Sequence, residues 1–304
     1  MLRLGEFNPM ADKNRGFLTA VVVLIIIAFL GFSLSPLLGG LLEANQQNSQ
    51  SIPSPSQTPI ADQEADLLAQ ARGYELVLQR EPDNLTALQG LLQVKLELIQ
   101  SGKGNIEEVL PPLEKLSELN PSNTDYNVLL AQAKAYTGDR EGAAKIYRSL
   151  LTVKPGDLKA LQGLATLLLA QERPEAAIGL LQDTLKAAPV KNQVEAGSID
   201  IVSVQLILGQ VYADQKRYDE AIAVYDEAIK LSSEDFRPIF AKAIILKEQG
   251  NTETSQELFN QAIEIAPAGF KDQIKLEASV NDDSEAQVSP EATSTETETE
   301  ELDK

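Results

Sequence analysis

Two pairs of adjacent carboxylates, Glu107-Glu108 and Asp219-Glu220, and a Gly102-Lys103-Gly104 turn are the residues whose types and spacing bear most directly on chemistry. The first would suit general acid–base work, the second phosphate binding. Each carboxylate pair falls at the start of a helix-forming stretch, where negative charge complements the helix dipole, and neither forms a matched acid and base. The glycine turn lacks the remaining glycine and the Lys-Ser/Thr step of a phosphate loop, so it reads as an inserted turn. The chain contains no His and no Cys among its 304 residues. It therefore lacks the usual base near neutral pH, the soft metal ligands and the thiol nucleophile, and serine–histidine catalysis is excluded. No constellation converges on a reacting centre, so the expectation is a non-enzyme with no metal and no cofactor. The absence of Cys leaves the redox compartment open.

The elements that position these residues follow a beat of 34 residues. Gly209, Tyr212, Ala221, Tyr225 and Ala228 fall at spacings that let two short antiparallel helices interlock. The same alternation of small and bulky side chains returns as Ala131, Ala143, Tyr147 and Pro155, as Ala165, Ala177, Leu181 and Pro189, and as Ala243, Phe259, Ala262 and Pro267. Ala and Gly make holes; Tyr, Leu and Phe fill them. One helix pair leaves an apolar face uncovered, so neighbours must stack and stability becomes a sum over repeats and their interfaces. Helix formers dominate and alternating strand patterns are nearly absent, which predicts an all-α fold.

Leu208-Gly209-x-x-Tyr212 followed by Ala221-x-x-x-Tyr225 resembles the tetratricopeptide repeat (TPR) family, with Gln205 where that family has a large aromatic, Ser233 in place of the closing proline and Ser255 in place of an alanine. The resemblance implies an all-α TPR solenoid of about five helix-turn-helix repeats, at 85–123, 124–157, 158–191, 202–235 and 236–269. The first copy is looser, with an excess of five residues near Ser101–Asn105, and 62–84 reads as a half repeat carrying Tyr74, Leu78 and Pro82-Asp83-Asn84. Ten extra residues, Asn192 to Ile201, are expected to lengthen a connection or extend the helix beginning near Ile199, and 270–280 to cap the last repeat. By the same resemblance the first helix of each pair lines a concave groove. Its inward positions are then Gln89 and Gln93; Val128, Gln132 and Tyr136; Gln162 and Thr166; Leu206 and Gln210; Phe240 and Ile244. Val128 with Gln132, and Gln162 with Thr166, do not reproduce the Lys/Asn clamp by which some TPR domains grip an acidic chaperone tail. An extended peptide or partner helix with few charges fits this amide-rich, apolar lining better.

The flanks differ from the repeats. Residues 16–42 are uncharged, and Phe17 to Leu34 as a helix would be roughly 27 Å long, close to a bilayer's hydrocarbon thickness. That length exceeds a signal peptide's apolar core, so a single transmembrane anchor is expected. Lys13 and Arg15 in the head 1–15, with no further cation until Arg72, place the N-terminus inside and the repeats on the translocated side; Met10 is a possible alternative start. Residues 43–61 read as a flexible Gln/Ser/Pro spacer. Residues 281–304 hold nine carboxylates against one lysine and read as a disordered acidic tail. With 45 acidic and 26 basic side chains, net −19, the chain is a poor partner for nucleic acid or anionic lipid headgroups.

Anchor, spacer and groove together predict a membrane-tethered protein-interaction scaffold, an assembly or biogenesis factor for a membrane complex. The architecture resembles the membrane-anchored, Pitt-like TPR proteins of cyanobacteria and plastids. That resemblance implies a thylakoid or plasma membrane location and a membrane-associated client such as protochlorophyllide oxidoreductase. A periplasmic envelope or cytochrome-maturation adaptor shares the architecture, and an enzyme or small-molecule receptor is the third alternative.

Overall fold

The computed structural model describes residues 60–279; the head, the apolar run 16–42, the spacer up to residue 59 and the acidic tail lie outside the described residues. Twelve α-helices and no strand occur among them. They are α1 (Ile60–Arg80), α2 (Leu85–Gln100), α3 (Leu110–Leu119), α4 (Thr124–Tyr136), α5 (Arg140–Val153), α6 (Leu158–Ala170), α7 (Pro174–Val194), α8 (Ile201–Asp214), α9 (Tyr218–Leu231), α10 (Phe236–Glu248), α11 (Thr252–Ile265) and α12 (Ala268–Ser279). Helices pack pairwise on their sequence neighbours, and α6 also touches α4 and α8, as α10 touches α8. The first helices of the pairs (A helices: α2, α4, α6, α8, α10) thereby form a layer distinct from the second helices (B helices: α3, α5, α7, α9, α11). None of the described helices is long and apolar enough to cross a membrane.

Short polar words set the ends of these helices. Asn84, Asn123, Asp157 and Asp200 each precede an A helix, and a side-chain oxygen of each accepts the amide N–H three residues on, at 3.0, 3.2, 3.0 and 3.1 Å. Such caps satisfy a donor that the helix itself leaves orphaned. In the first three cases the cap follows a proline by two residues, in Pro82-Asp83-Asn84, Pro121-Ser122-Asn123 and Pro155-Gly156-Asp157. The proline lacks the N–H needed to prolong the preceding helix, and the cap starts the next one. Gly102, with φ +72, turns the chain after α2, and Gly104 donates its N–H to the Leu98 carbonyl at 2.9 Å; the Gly-Lys-Gly word is an inserted turn.

Pro189 does not end its helix. The beat places a repeat boundary there, yet α7 runs through Pro189 to Val194. The residue two beyond this proline is Lys191 rather than Asn or Asp, so no cap is available to start a new helix. The extra residues therefore lengthen the preceding helix and, in part, the connection after it, rather than the helix expected near Ile199, and the next helix starts at Ile201 after the cap Asp200. Asn192 organises the loop between. Its Nδ2 donates to the Ile199 carbonyl at 2.9 Å, while its Oδ1 accepts the Ile199 N–H at 2.9 Å and the Ser198 hydroxyl at 3.1 Å. Ile199 is thereby held in the core. At the other end of the repeats the helix α1 starts at Ile60, so the last two residues of the expected spacer are helical, and α12 starts at Ala268, two residues ahead of the expected cap.

The core is the set of holes and fillers read from the sequence. Ala143, Ala177 and Ala221 are fully buried, as are Tyr225 and Phe259. A Cβ on Gly163 would lie 2.4 Å from the Tyr147 ring, and one on Gly209 2.2 Å from the Tyr225 ring. These rings rest on bare helix backbone. Burial pushes the phenols of Tyr147 and Tyr225 well above their ordinary pKa.

The turns from A to B helices share a left-handed residue: Gly138 (φ +95), Glu172 (φ +58), Lys216 (φ +58) and Gly250 (φ +81). At Lys216 the backbone closes with Lys216 N–H to the Ala213 carbonyl at 2.8 Å and Arg217 N–H to that of Tyr212 at 2.9 Å, a Schellman pattern. The left-handed conformation costs a residue with a Cβ roughly 1–2 kcal/mol. Glu172→Gly and Lys216→Gly should each stabilise the chain by about 0.5–1 kcal/mol, after the greater freedom of glycine in the unfolded chain is subtracted. Urea midpoints measure this; unchanged or lowered midpoints would contradict it.

Candidate functional site

The A-helix layer presents the groove positions, but not all are available to a partner. Val128 is 4 % exposed and belongs to the core, so it is a packing residue and not a groove contact. Its valine side chain is small enough to be covered by the next repeat. Leu206 packs against the same core from its edge. Phe240 lies edge-on to Phe259, ring centroids 5.9 Å apart, and with Ile244 packs on the core of the last repeat. These apolar side chains form a half-buried floor.

The amides of the A-helix layer are in two states. Gln89 donates to the Tyr126 hydroxyl at 2.6 Å, Gln93 to the Glu97 carboxylate at 3.1 Å and Gln210 to the Asp214 carboxylate at 2.7 Å. Their hydrogen-bonding capacity is partly used within the chain. Gln162 and Thr166 are exposed and Gln132 is half-buried, and among the described residues no side-chain hydrogen bond is formed by any of the three. Beside them Tyr136 is 76 % exposed at the end of α4. The structure thus places Gln132, Tyr136, Gln162 and Thr166 on the adjacent helices α4 and α6 as a group with open polar capacity and one bare aromatic ring.

Several residues that shape this face have no distinctive signal in the sequence. Tyr126 anchors Gln89 from the next A helix. Lys159 meets Asp125 at 2.6 Å, tying the starts of α6 and α4, and Thr124 Oγ1 donates to Asp157 at 2.7 Å. Arg237 bonds both oxygens of Asp235 and reaches the Ser203 hydroxyl at 3.2 Å, linking α10 to α8. The guanidinium holds the Asp235 carboxyl below its ordinary range. Only the 34-residue spacing of Asp125 and Lys159, opposite charges at one repeat position, could have announced the first of these ties. Where Asp125, Gly156, Lys159, Gly197 and Ser198 meet, an open cleft of about 420 Å³ is left at the edge of the layer.

In each of the two carboxylate pairs one member is held in an ion pair. Glu108 pairs with Lys95 at 2.5 Å and Glu220 with Arg217 at 2.8 Å; each cation holds its carboxylate below the usual pKa. No group of three or more acidic side chains is arranged to hold a metal ion among the described residues. Gln205, at the position of the family's large aromatic, is buried with its Oε1 unpartnered and its Nε2 3.5 Å from Glu227.

Residues 135–196 and 200–268 match tetratricopeptide-repeat family models. The chain is 27 % identical over 250 residues to protein SLOW GREEN 1, chloroplastic, of Arabidopsis thaliana, covering 80 % of this chain and 76 % of that one. It is 27 % identical over 164 residues to protein O-mannosyl-transferase TMTC1 of Homo sapiens, covering 54 % of this chain and 18 % of that one. Among solved structures, TTC0263, a thermophilic TPR protein of Thermus thermophilus, aligns with 20 % identity and a TM-score of 0.41 over 63 % of this chain and 97 % of that one.

Proposed function

We propose that this chain, a member of the tetratricopeptide-repeat family, is a non-enzymatic scaffold that receives a protein partner on its A-helix face. The observation that carries the reading is the group formed by Gln132, Tyr136, Gln162 and Thr166. Open amides and a hydroxyl beside a bare aromatic ring suit a segment of extended chain, whose backbone needs donors and acceptors and whose apolar side chains need a floor. The binding energy would centre on Tyr136, since exposed aromatics with a polar tip dominate such contacts.

The uncharged run 16–42 would tether this face to a membrane, with residues 43–59 as spacer. Tethering raises the effective concentration of the face toward neighbours in the same membrane. The likeness to a chloroplastic protein across most of both chains supports a biogenesis role in a plastid-type setting, and Lys13 and Arg15 ahead of the uncharged run favour repeats on the translocated side. The client is then membrane-associated, and protochlorophyllide oxidoreductase is the first candidate to probe.

Mild-detergent co-purification of the full chain beside Gln132→Ala/Tyr136→Ala tests the reading. The wild type should retain a protein that the double variant loses by about tenfold or more, the equivalent of roughly 1.4 kcal/mol. Equal retention by a folded double variant would overturn the assignment to this face.

A further inference from the structure

Charge is spread unevenly over the B helices. Helix α3 carries two carboxylates against one lysine, α9 four against one, and α11 three with no cation. Helix α5 is the reverse: Arg140, Lys145 and Arg148 stand against Glu141, and Lys154 follows at its end. All four cations are exposed, and none forms an ion pair among the described residues. On α7 the set continues with Lys186, which pairs with Asp183 at 3.3 Å, and with exposed Lys191, which has no such partner.

Apolar side chains lie among these cations. Lys145, Arg148 and Thr152 follow one another at helical spacing on the exposed side of α5, with Val153 beside them, and Lys186, Val190 and Val194 do so on α7. Val153, Val190 and Val194 are 70, 65 and 86 % exposed. Both helices pack on α6, and the loops after them meet, since a Cβ on Gly156 would come within 2.1 Å of the Ser198 carbonyl oxygen. The C-terminal halves of α5 and α7 thus form one basic patch set with valines, in a chain of net charge −19.

The chain's own sequence supplies the complement. Residues 281–304 hold nine carboxylates against one lysine, and their densest stretch is Glu296, Glu298, Glu300, Glu301 and Asp303, with Leu302 among them. We infer that this acidic segment docks on the basic face of α5 and α7 of the same chain. The length suffices. Neighbouring helices pack about 8–10 Å apart, so α7 and α5, two and three repeats back from α11, lie on the order of 20–40 Å away. Glu296 stands 17 residues beyond Ser279, a stretch with a typical reach of roughly 20–25 Å and a limit of about 55 Å. The carboxylates of α9 and α11 repel the segment from the nearer B helices and leave α5 and α7 as its complement. Exposed ion pairs are individually weak, so several must act together, and attachment to the same chain supplies an effective concentration of about millimolar. The docked segment covers a face that would otherwise attract acidic proteins, and it leaves the A-helix face open to a partner.

Because the chain has no Cys, Thr297→Cys can carry a benzophenone at that position alone. The full chain so labelled is irradiated in mild detergent at low salt, and the attachment points are read by peptide mass. Attachment should concentrate on peptides of α5 and α7, in a product with the mass of one chain. It should fall by about fivefold or more in Lys145→Glu/Arg148→Glu and in molar salt, where the Debye length is only about 3 Å. Circular dichroism reports whether the double variant is folded. Glu296→Gln/Glu298→Gln/Glu300→Gln/Glu301→Gln, altered only beyond the described helices, should show the same loss. Attachment spread over α9 to α12 with none on α5 or α7, attachment that survives both sets of substitutions, or a product found only at the mass of two chains would each overturn the inference.

Discussion

Tyr225→Ala is expected to destabilise the repeats by about 3–5 kcal/mol, the range for removing a large buried aromatic side chain. The ring is 2 % exposed and fills the space that Gly209 leaves bare, so its loss removes transfer energy and leaves a cavity between α9 and α8. Because stability in a repeat array is a sum over neighbouring units, the damage should appear as loss of cooperativity between the segments on either side. The partner residue gives a sharper test. In an exposed helix Gly→Ala gains about 1 kcal/mol, but a Cβ at Gly209 would sit 2.2 Å from Tyr225 Cε1, so Gly209→Ala should lower stability. Gly179→Ala, on α7 with nothing within 4 Å of the added carbon, should raise it. Urea unfolding of the three variants decides the matter. A Tyr225→Ala loss below about 1 kcal/mol, or Gly209→Ala behaving like Gly179→Ala, would show that the ring is not seated as described.

The second large effect is expected at Asn192. Its side chain makes three hydrogen bonds to the loop that follows α7, two of them to the backbone of buried Ile199. Asn192→Ala leaves an N–H and a carbonyl at Ile199 without their partner, at a cost of about 2–3 kcal/mol. The loss should be local first. Hydrogen exchange at the Ile199 amide should accelerate by about 30-fold or more, the equivalent of roughly 2 kcal/mol of opening. Amides of α2 and α3, three repeats away, should be unaffected. An unchanged Ile199 amide would mean that the loop is held by something other than Asn192.

Much of this fold is legible in the sequence because it is written twice over. Holes at Ala143, Ala177 and Ala221 are each followed four residues on by a filler, Tyr147, Leu181 and Tyr225, and Pro-x-Asn or Pro-x-Asp words mark where helices stop and restart. The pattern misleads at Pro189, where half the word is present. A proline weakens a helix but does not end it, and without an Asx two residues on the chain continues to Val194. The face proposed for binding is less legible. Spacing identifies which helical positions point away from the partner helix, but not how far the next repeat covers them, and that coverage separates Val128, buried, from Tyr136, bare. Nor does spacing show that Gln89, Gln93 and Gln210 spend amide capacity on Tyr126, Glu97 and Asp214. These contacts depend on rotamers and on residues in neighbouring helices.

Protein partners are expected to meet this chain on its A-helix face. Site-specific photo-crosslinking in intact cells tests it most directly, with a benzophenone side chain placed at Tyr136 on α4 and, in a separate strain, at Ser149 on the exposed face of the B helix α5. A discrete crosslinked protein is expected from position 136, lost when Gln132 and Gln162 are also replaced by alanine, and no such product from position 149. A product from position 149 with none from position 136 would contradict it.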